Sequence, residues 1–226
     1  PQAMASYAAS HQIPFVHYST NYVFDGESTA PYKEADMPHP LNIYGQSKLD
    51  GELAVIATCE SVGSPYWILR TSWVYGSVDG DGGNFIKTIL DVARQYGELS
   101  VVSDQLGTPT SAAWLAEVTQ LILSKIKKVP PGIYHVVPRG QTSRYGLACW
   151  VIELAKHLNM LKDMKNCSIR AIASDTYPSS LRPKNGCLDH RHLLEVLEMS
   201  AFPHWQEQVT TYVESLAPIY KQDNHS

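Results

Sequence analysis

Cysteine is scarce in this 226-residue sequence, and the four that occur, Cys59, Cys149, Cys167 and Cys187, are widely spaced without a Cys-x-x-Cys pair. That pattern indicates neither a structural zinc site nor a dense disulfide framework, and reduced thiols in a cytoplasmic protein are the simpler reading. No apolar run reaches membrane-spanning length, and Pro1-Gln-Ala-Met is not the charged-then-apolar start of a signal segment. A long Lys/Arg block is also missing, and the formal charge is -4, which gives no reason to expect a nucleic-acid or membrane-surface partner. The glycines do not form a dinucleotide fingerprint or a P-loop, and Asp79-Gly-Asp-Gly-Gly83 reads as a turn.

What is present is an ordinary core-forming composition, 44% hydrophobic, large enough for one substantial core with a smaller attached lobe. Its chemistry centres on Tyr44-Gly-Gln-Ser-Lys48. Leu49, Leu53 and Ile56 recur at helical spacing, so a helix from about Tyr44 to Glu60 places Tyr44 and Lys48 one turn apart on a shared face. A cation near a phenol stabilises phenolate, which suits proton delivery. Lys48 and Glu52 are also spaced to pair across a turn, which would compete with that role. Just upstream, Ile13 to Tyr18 reads as a buried parallel strand with Ser19 and Thr20 at its carboxyl end, where open α/β sheets build their crevices.

Strand and helix signals continue to alternate. Tyr66 to Arg70 reads as a strand leading into Thr71-Ser-Trp-Val-Tyr-Gly76, and Asn84 as the cap of a helix with Phe85, Ile89, Val92 and Tyr96 on one stripe. Leu99 to Val102 reads as a strand, and Leu115, Val118 and Ile122 as the apolar face of another helix. Gly132 to Val137 follows as a strand, then a helix capped by Thr142 or Ser143 and a short strand over Ser168 to Ala173. The last helix carries Trp205, Val209, Tyr212 and Leu216 and is expected to end before Pro218.

Several rare strings occur together: Ser19-Thr-Asn-Tyr-Val-Phe-Asp-Gly26, Pro40-Leu-Asn-Ile-Tyr-Gly-Gln-Ser-Lys-Leu-Asp-Gly-Glu52, Leu69-Arg-Thr-Ser-Trp-Val-Tyr-Gly76, Asp104-Gln-Leu-Gly-Thr-Pro-Thr110 and Arg182-Pro-Lys-Asn185. With these, Phe15 through Leu216 resembles the dTDP-4-dehydrorhamnose reductase family, extended short-chain dehydrogenase/reductases that make dTDP-L-rhamnose. The resemblance implies an α/β fold, a Rossmann-like parallel sheet flanked by helices with a smaller interleaved C-terminal substrate-binding lobe. Residues 1–76 would be the remaining C-terminal part of the dinucleotide-binding core, and 77–226 its mixed remainder and the lobe, with a discontinuous boundary.

The resemblance further implies that Thr20 holds and polarises a 4-keto group, Tyr44 donates the proton, and Lys48 binds the nicotinamide ribose and tunes Tyr44. Ser19 and Thr71 join them in binding NADPH or NADH. Asn21, Trp73, Gln105, Thr108 and Arg182 would border the dTDP-sugar. The family permits magnesium and a homodimer, although the sequence offers no clear carboxylate cluster for a metal.

Two departures stand out. Asn21 replaces the aspartate that commonly follows the threonine, and Gly186-Cys187 replaces a common Ser-Arg. The family's Gly-rich strand-to-helix turn would precede Pro1, so the chain is expected to lack roughly the first seventy residues of an extended reductase. Two alternatives resemble the same region: a non-catalytic subunit similar to the β subunit of methionine adenosyltransferase, and a related nucleotide-sugar epimerase or dehydratase.

Overall fold

The computed structural model describes residues 1–76, 83–161, 167–176 and 181–222. In chain order these form α1 (Gln2–Ser10), β1 (Phe15–Thr20), α2 (Ile43–Glu60), β2 (Tyr66–Thr71) and β3 (Val74–Tyr75). Then come α3 (Phe85–Tyr96), β4 (Glu98–Val102), β5 (Leu106–Gly107), β6 (Thr110–Ser111) and α4 (Ala112–Ser124). The remainder comprises β7 (Gly132–His135), β8 (Thr142–Ser143), α5 (Arg144–His157), β9 (Ser168–Ile172), α6 (Arg191–Leu197) and α7 (Trp205–Gln222).

These residues divide into two compact units. The first takes in 1–72, 115–137 and 179–202, the second 73–114, 138–178 and 203–226. In the first, β1, β2 and β7 form a parallel sheet in the order β1-β2-β7, with Thr20 level with Thr71 and Arg70 level with His135. All six residues of β2 are buried, as expected of a central strand covered on both faces. Ala5 of α1 and Val55 and Cys59 of α2 pack with Tyr66 and Ile68 on one side of that strand.

The second unit is organised around one large apolar cluster fed by α3, α5 and α7, including Ile86, Leu90, Val151, Val209 and Leu216. Beside it lie three short strand pairs: parallel β3-β6 and β4-β9, and antiparallel β5-β8. Asn84 caps α3 as expected, its Oδ1 accepting from the N–H groups of Ile86 and Lys87 at 3.0 and 3.1 Å.

Four expectations need correction. The strand read as buried over Ile13 to Tyr18 runs instead over Phe15–Thr20, where only Ser19 and Thr20 are buried and Tyr18 is 42% exposed; among the described strands β1 stands at the edge of its sheet. On α2 the buried positions are Gly45, Gly51, Glu52, Val55 and Cys59, whereas Leu53 is 55% exposed. The stripe is rotated because two glycines and a paired carboxylate, not leucines, face the sheet. On α3 the buried set is Ile86, Ile89, Leu90 and Ala93, and Tyr96 is exposed. Finally, α7 runs through Pro218 to Gln222. The bond lost at that proline is offset by burial of Leu216, Ala217 and Tyr220, and the Tyr220 hydroxyl donates to Asp91 at 2.6 Å. The expected turn at Asp79 to Gly83 falls, except for Gly83, outside the described residues.

Candidate active site

The carboxyl end of β1 and the first turns of α2 are drawn together by small groups. Asn42 caps α2 by accepting from the Gly45 N–H at 2.8 Å. Gly45 lies so near the backbone that a Cβ there would stand 2.2 Å from the Tyr22 carbonyl oxygen. Only glycine allows that approach. The Tyr44 ring, 55% exposed, meets Tyr22 edge-on at 5.6 Å between centroids.

Lys48 turns toward the same strand end, its Nζ donating to the Tyr18 carbonyl at 2.5 Å. Burial holds this ammonium below its ordinary pKa, with the Glu52 carboxylate partly opposing the shift. The expected Lys48–Glu52 pair does not form. Glu52, 1% exposed, is instead bidentate to Arg70 of β2, with Nε–Oε1 at 3.0 Å and Nη2–Oε2 at 2.7 Å. Lys48 is thereby left to the strand end, and α2 is tied to β2. His17 lies close by, and burial, followed by the charge of Lys48, pushes its pKa down.

Thr20 and Asn21 are almost completely buried, at 6% and 2% exposure. The Thr20 hydroxyl accepts from the Tyr22 N–H at 3.2 Å and donates to Asn21 Oδ1 at 3.3 Å. Asn21 Nδ2 donates to the Gly186 carbonyl at 3.1 Å. The two departures from the family strings therefore meet in one hydrogen bond. Beside Gly186, burial pushes the Cys187 thiol up to about 11.

Ser19 is the penultimate residue of β1 and Thr71 the last of β2, and their buried hydroxyls have no hydrogen-bond partner among the described residues. Buried orphan hydroxyls are costly, and here they fit a polar ligand lying across the strand ends. Arg182 is exposed, and its neighbour Leu181 is tethered to α2 through a 2.7 Å bond from Asn42 Nδ2 to the Leu181 carbonyl.

Trp73, Gln105 and Thr108 belong to the second unit and gather around β5-β8. Trp73 adopts a left-handed conformation (φ 45°), and its indole rests on Gly107, where a Cβ would lie 2.5 Å from the ring. The Gln105 carbonyl accepts from the Arg144 N–H at 3.3 Å, and the Thr108 hydroxyl donates to the Gly140 carbonyl at 3.0 Å. Sequence reading missed Arg144, whose guanidinium stands 4.4 Å from the Trp73 ring centroid and 5.2 Å from that of Phe85. Its one signal was a cation directly after a helix cap. With Trp73, Phe85 and Leu147 it lines a cleft of about 150 Å³.

Among the described residues, no group of three or more His, Cys, Asp or Glu is placed to hold a metal ion. No described helix is long and apolar enough to cross a membrane. All four cysteines are free.

A family model described as the RmlD substrate binding domain matches residues 1–217. The dTDP-4-dehydrorhamnose reductase of Escherichia coli (strain K12) is 36% identical over 204 residues, covering 89% of this chain. This chain spans 65% of that relative's length. A crystal structure of a dTDP-4-dehydrorhamnose reductase from Clostridium acetobutylicum is 32% identical with a TM-score of 0.83, covering 96% of this chain and 70% of that one. Another, from Bacillus anthracis in complex with NADP, is 30% identical with a TM-score of 0.80 over 95% of this chain and 70% of that one. These likenesses bear out the expected α/β architecture, a Rossmann-like parallel sheet flanked by helices.

Proposed function

The chain belongs to the dTDP-4-dehydrorhamnose reductase family, and from that premise we propose that the protein carrying it reduces the 4-keto group of dTDP-4-dehydro-L-rhamnose to give dTDP-L-rhamnose. The observation that carries this reading is the convergence of Thr20, Tyr44 and Lys48 on the carboxyl end of β1. NADPH or NADH, when bound, supplies the hydride. Lys48 and Tyr44 would hold its ribose, and the orphan hydroxyls of Ser19 and Thr71 would bond its nicotinamide end.

Thr20 gives a hydrogen bond to the keto oxygen, stabilising the alkoxide character that develops there, and Tyr44 gives that oxygen its phenolic proton. Lys48, one helical turn from Tyr44 and held at the Tyr18 carbonyl, would supply positive charge on the helix face from which the phenol gives up its proton. In this reading Trp73, Gln105 and Thr108 border the sugar, and Arg182 meets the diphosphate. Four free thiols are in keeping with the reducing cytoplasm. The homodimer and magnesium that the family permits are open to sedimentation and chelation.

The test is loss of reduced-nicotinamide absorbance when dTDP-4-dehydro-L-rhamnose is added to the full-length protein. Tyr44→Phe is expected to lower kcat by roughly 10² to 10⁴-fold. No substrate-dependent oxidation by the wild type rejects the reductase, and normal turnover by Tyr44→Phe rejects Tyr44 as the donor.

A further inference from the structure

We infer that Arg144 is a positioning residue whose guanidinium clamps the Trp73 indole in the orientation that a ligand meets, setting ligand affinity through Trp73. The need for a clamp follows from the backbone. Among the described non-glycine residues, Gln12, Trp73, Asn159 and Glu198 have positive φ. Gln12, Asn159 and Glu198 each stand at the end of a helix, where a left-handed residue is ordinary. Trp73 stands instead between β2 and β3 and is the bulkiest of the four, so its φ of 45° is strained. A tryptophan in that conformation is held by its surroundings rather than by local preference.

Those surroundings come largely from one strand pair. β5 and β8 set Gly107 level with Thr142 and Leu106 level with Ser143, and Arg144 is the next residue. Its N–H donates to the carbonyl of Gln105, just before β5, at 3.3 Å. The indole thus rests on the bare backbone of Gly107 and carries the Arg144 guanidinium 4.4 Å from its ring centroid. A second ring, that of Phe85 at the start of α3, steadies the guanidinium at 5.2 Å. All of these residues belong to the second unit.

The strength of the stack sets the size of the effect. A partly solvated guanidinium over an indole is worth a factor of about 2 to 5 in population. Without it the indole leaves the ligand-competent orientation, and affinity falls by that factor because only the competent fraction binds. The loss therefore appears in KM, with kcat retained. That the ligand is the dTDP-sugar rests on the reductase reading.

The experiment measures kcat and KM for dTDP-4-dehydro-L-rhamnose in the full-length protein, with Arg144→Ala and Arg144→Lys made in both wild-type and Trp73→Ala backgrounds. Arg144→Ala should raise KM about 2- to 5-fold with kcat within about twofold of wild type. Arg144→Lys, which keeps the charge without the plane, should recover only part of that loss. In the Trp73→Ala background Arg144→Ala should change KM by less than about 1.5-fold, since the residue through which it acts is gone. If Arg144→Ala does not fold, Arg144→Lys in the two backgrounds still decides. A second readout needs no turnover. The emission that Trp73 contributes, taken as the difference on Trp73→Ala, should be quenched more strongly by acrylamide once Arg144→Ala uncovers the ring.

An unchanged KM for Arg144→Ala overturns the proposal. So does an equal rise in the Trp73→Ala background, which makes Arg144 a direct ligand contact, and so does a fall in kcat with KM retained. A wild type that does not reduce the keto-sugar overturns the reductase reading alone. The quenching then decides for Arg144, with stronger quenching supporting the clamp and unchanged quenching rejecting it.

Discussion

Arg70 and Arg144 both lie over aromatic rings, Arg70 at 5.1 Å from Phe24 and Arg144 at 4.4 Å from Trp73, in very different surroundings. Arg70, in the first unit, is 2% exposed and bidentate to Glu52, so its charge is neutralised deep in the parallel sheet. Arg144, in the second, is half-buried and lines a cleft. The first arginine fixes α2 against β2, and with it the frame that carries Tyr44, Lys48 and Thr71. The second opens α5, directly after the short strand β8, and lines a cleft. Burial of the cation therefore separates a scaffold pair from a cleft-lining side chain, although the stacking is alike.

The sharpest way to break that distinction is Glu52→Ala, which strands the Arg70 charge in the interior and should cost about 3–5 kcal/mol in urea unfolding. Arg144→Gln should cost less than about 1 kcal/mol, the scale of a partly solvated cation–π contact. Equal losses would mean that both arginines are scaffold.

The charge of Arg70 also reaches His135, level with it on β7 and 0% exposed. Burial first, then Arg70, pushes the His135 pKa down to about 3. Below the unfolded-state value of about 6.5 the unfolded chain binds a proton that the folded chain refuses, so stability falls as pH drops from about 6.5 toward 3. The full loss is on the order of a few kcal/mol, and His135→Phe should flatten that slope. A slope unchanged by this substitution would remove His135 from the polar interior of the first unit.

A smaller contrast concerns two glycines. A Cβ on Gly45 meets backbone at the Tyr22 carbonyl, and one on Gly107 meets the Trp73 side chain. Overpacking of this kind costs about 1–3 kcal/mol. Gly45→Ala should shift α2 and lower kcat, whereas Gly107→Ala should tilt the indole and raise KM with kcat retained. The opposite assignment would exchange the roles of the two units.

Much of the first unit was legible because its signals are local. The apolar run before Ser19 and the helical spacing that follows Tyr44 locate β1 and α2 within a residue or two of their observed limits. The buried stripe of α2 was misread because periodicity counts leucines, whereas burial followed Gly45, Gly51 and a carboxylate whose partner lies on β2. Pro218 was read as a stop because its local cost is visible and the packing that offsets it is not. In the candidate site Thr20, Tyr44 and Lys48 were legible through their strings. The Asn21–Gly186 bond joins residues 165 apart, and Arg144 depends on a stack built by β5-β8, so neither leaves a local trace.

The finest contrast is between the caps of α2 and α3, because each uses both ends of an asparagine amide. Asn42 accepts from Gly45 and donates to the Leu181 carbonyl; Asn84 accepts from Ile86 and Lys87 and donates to the Tyr212 hydroxyl at 2.8 Å. Replacing either with aspartate keeps the cap, and the helix N-terminus favours its charge by about 0.3–1 kcal/mol. The lost donor matters differently at the two places. The Tyr212 hydroxyl can rotate and donate to a carboxylate, all the more readily because burial raises its pKa and keeps its proton on. The Leu181 carbonyl has no proton to give, so Asn42→Asp sets two acceptors face to face and loosens the segment that carries Arg182. Asn84→Asp should therefore stay within about 0.5 kcal/mol of wild type, while Asn42→Asp should lose about 1 kcal/mol. If thermal unfolding ranks the two in reverse, the tether to Leu181 is not what holds Arg182 beside α2.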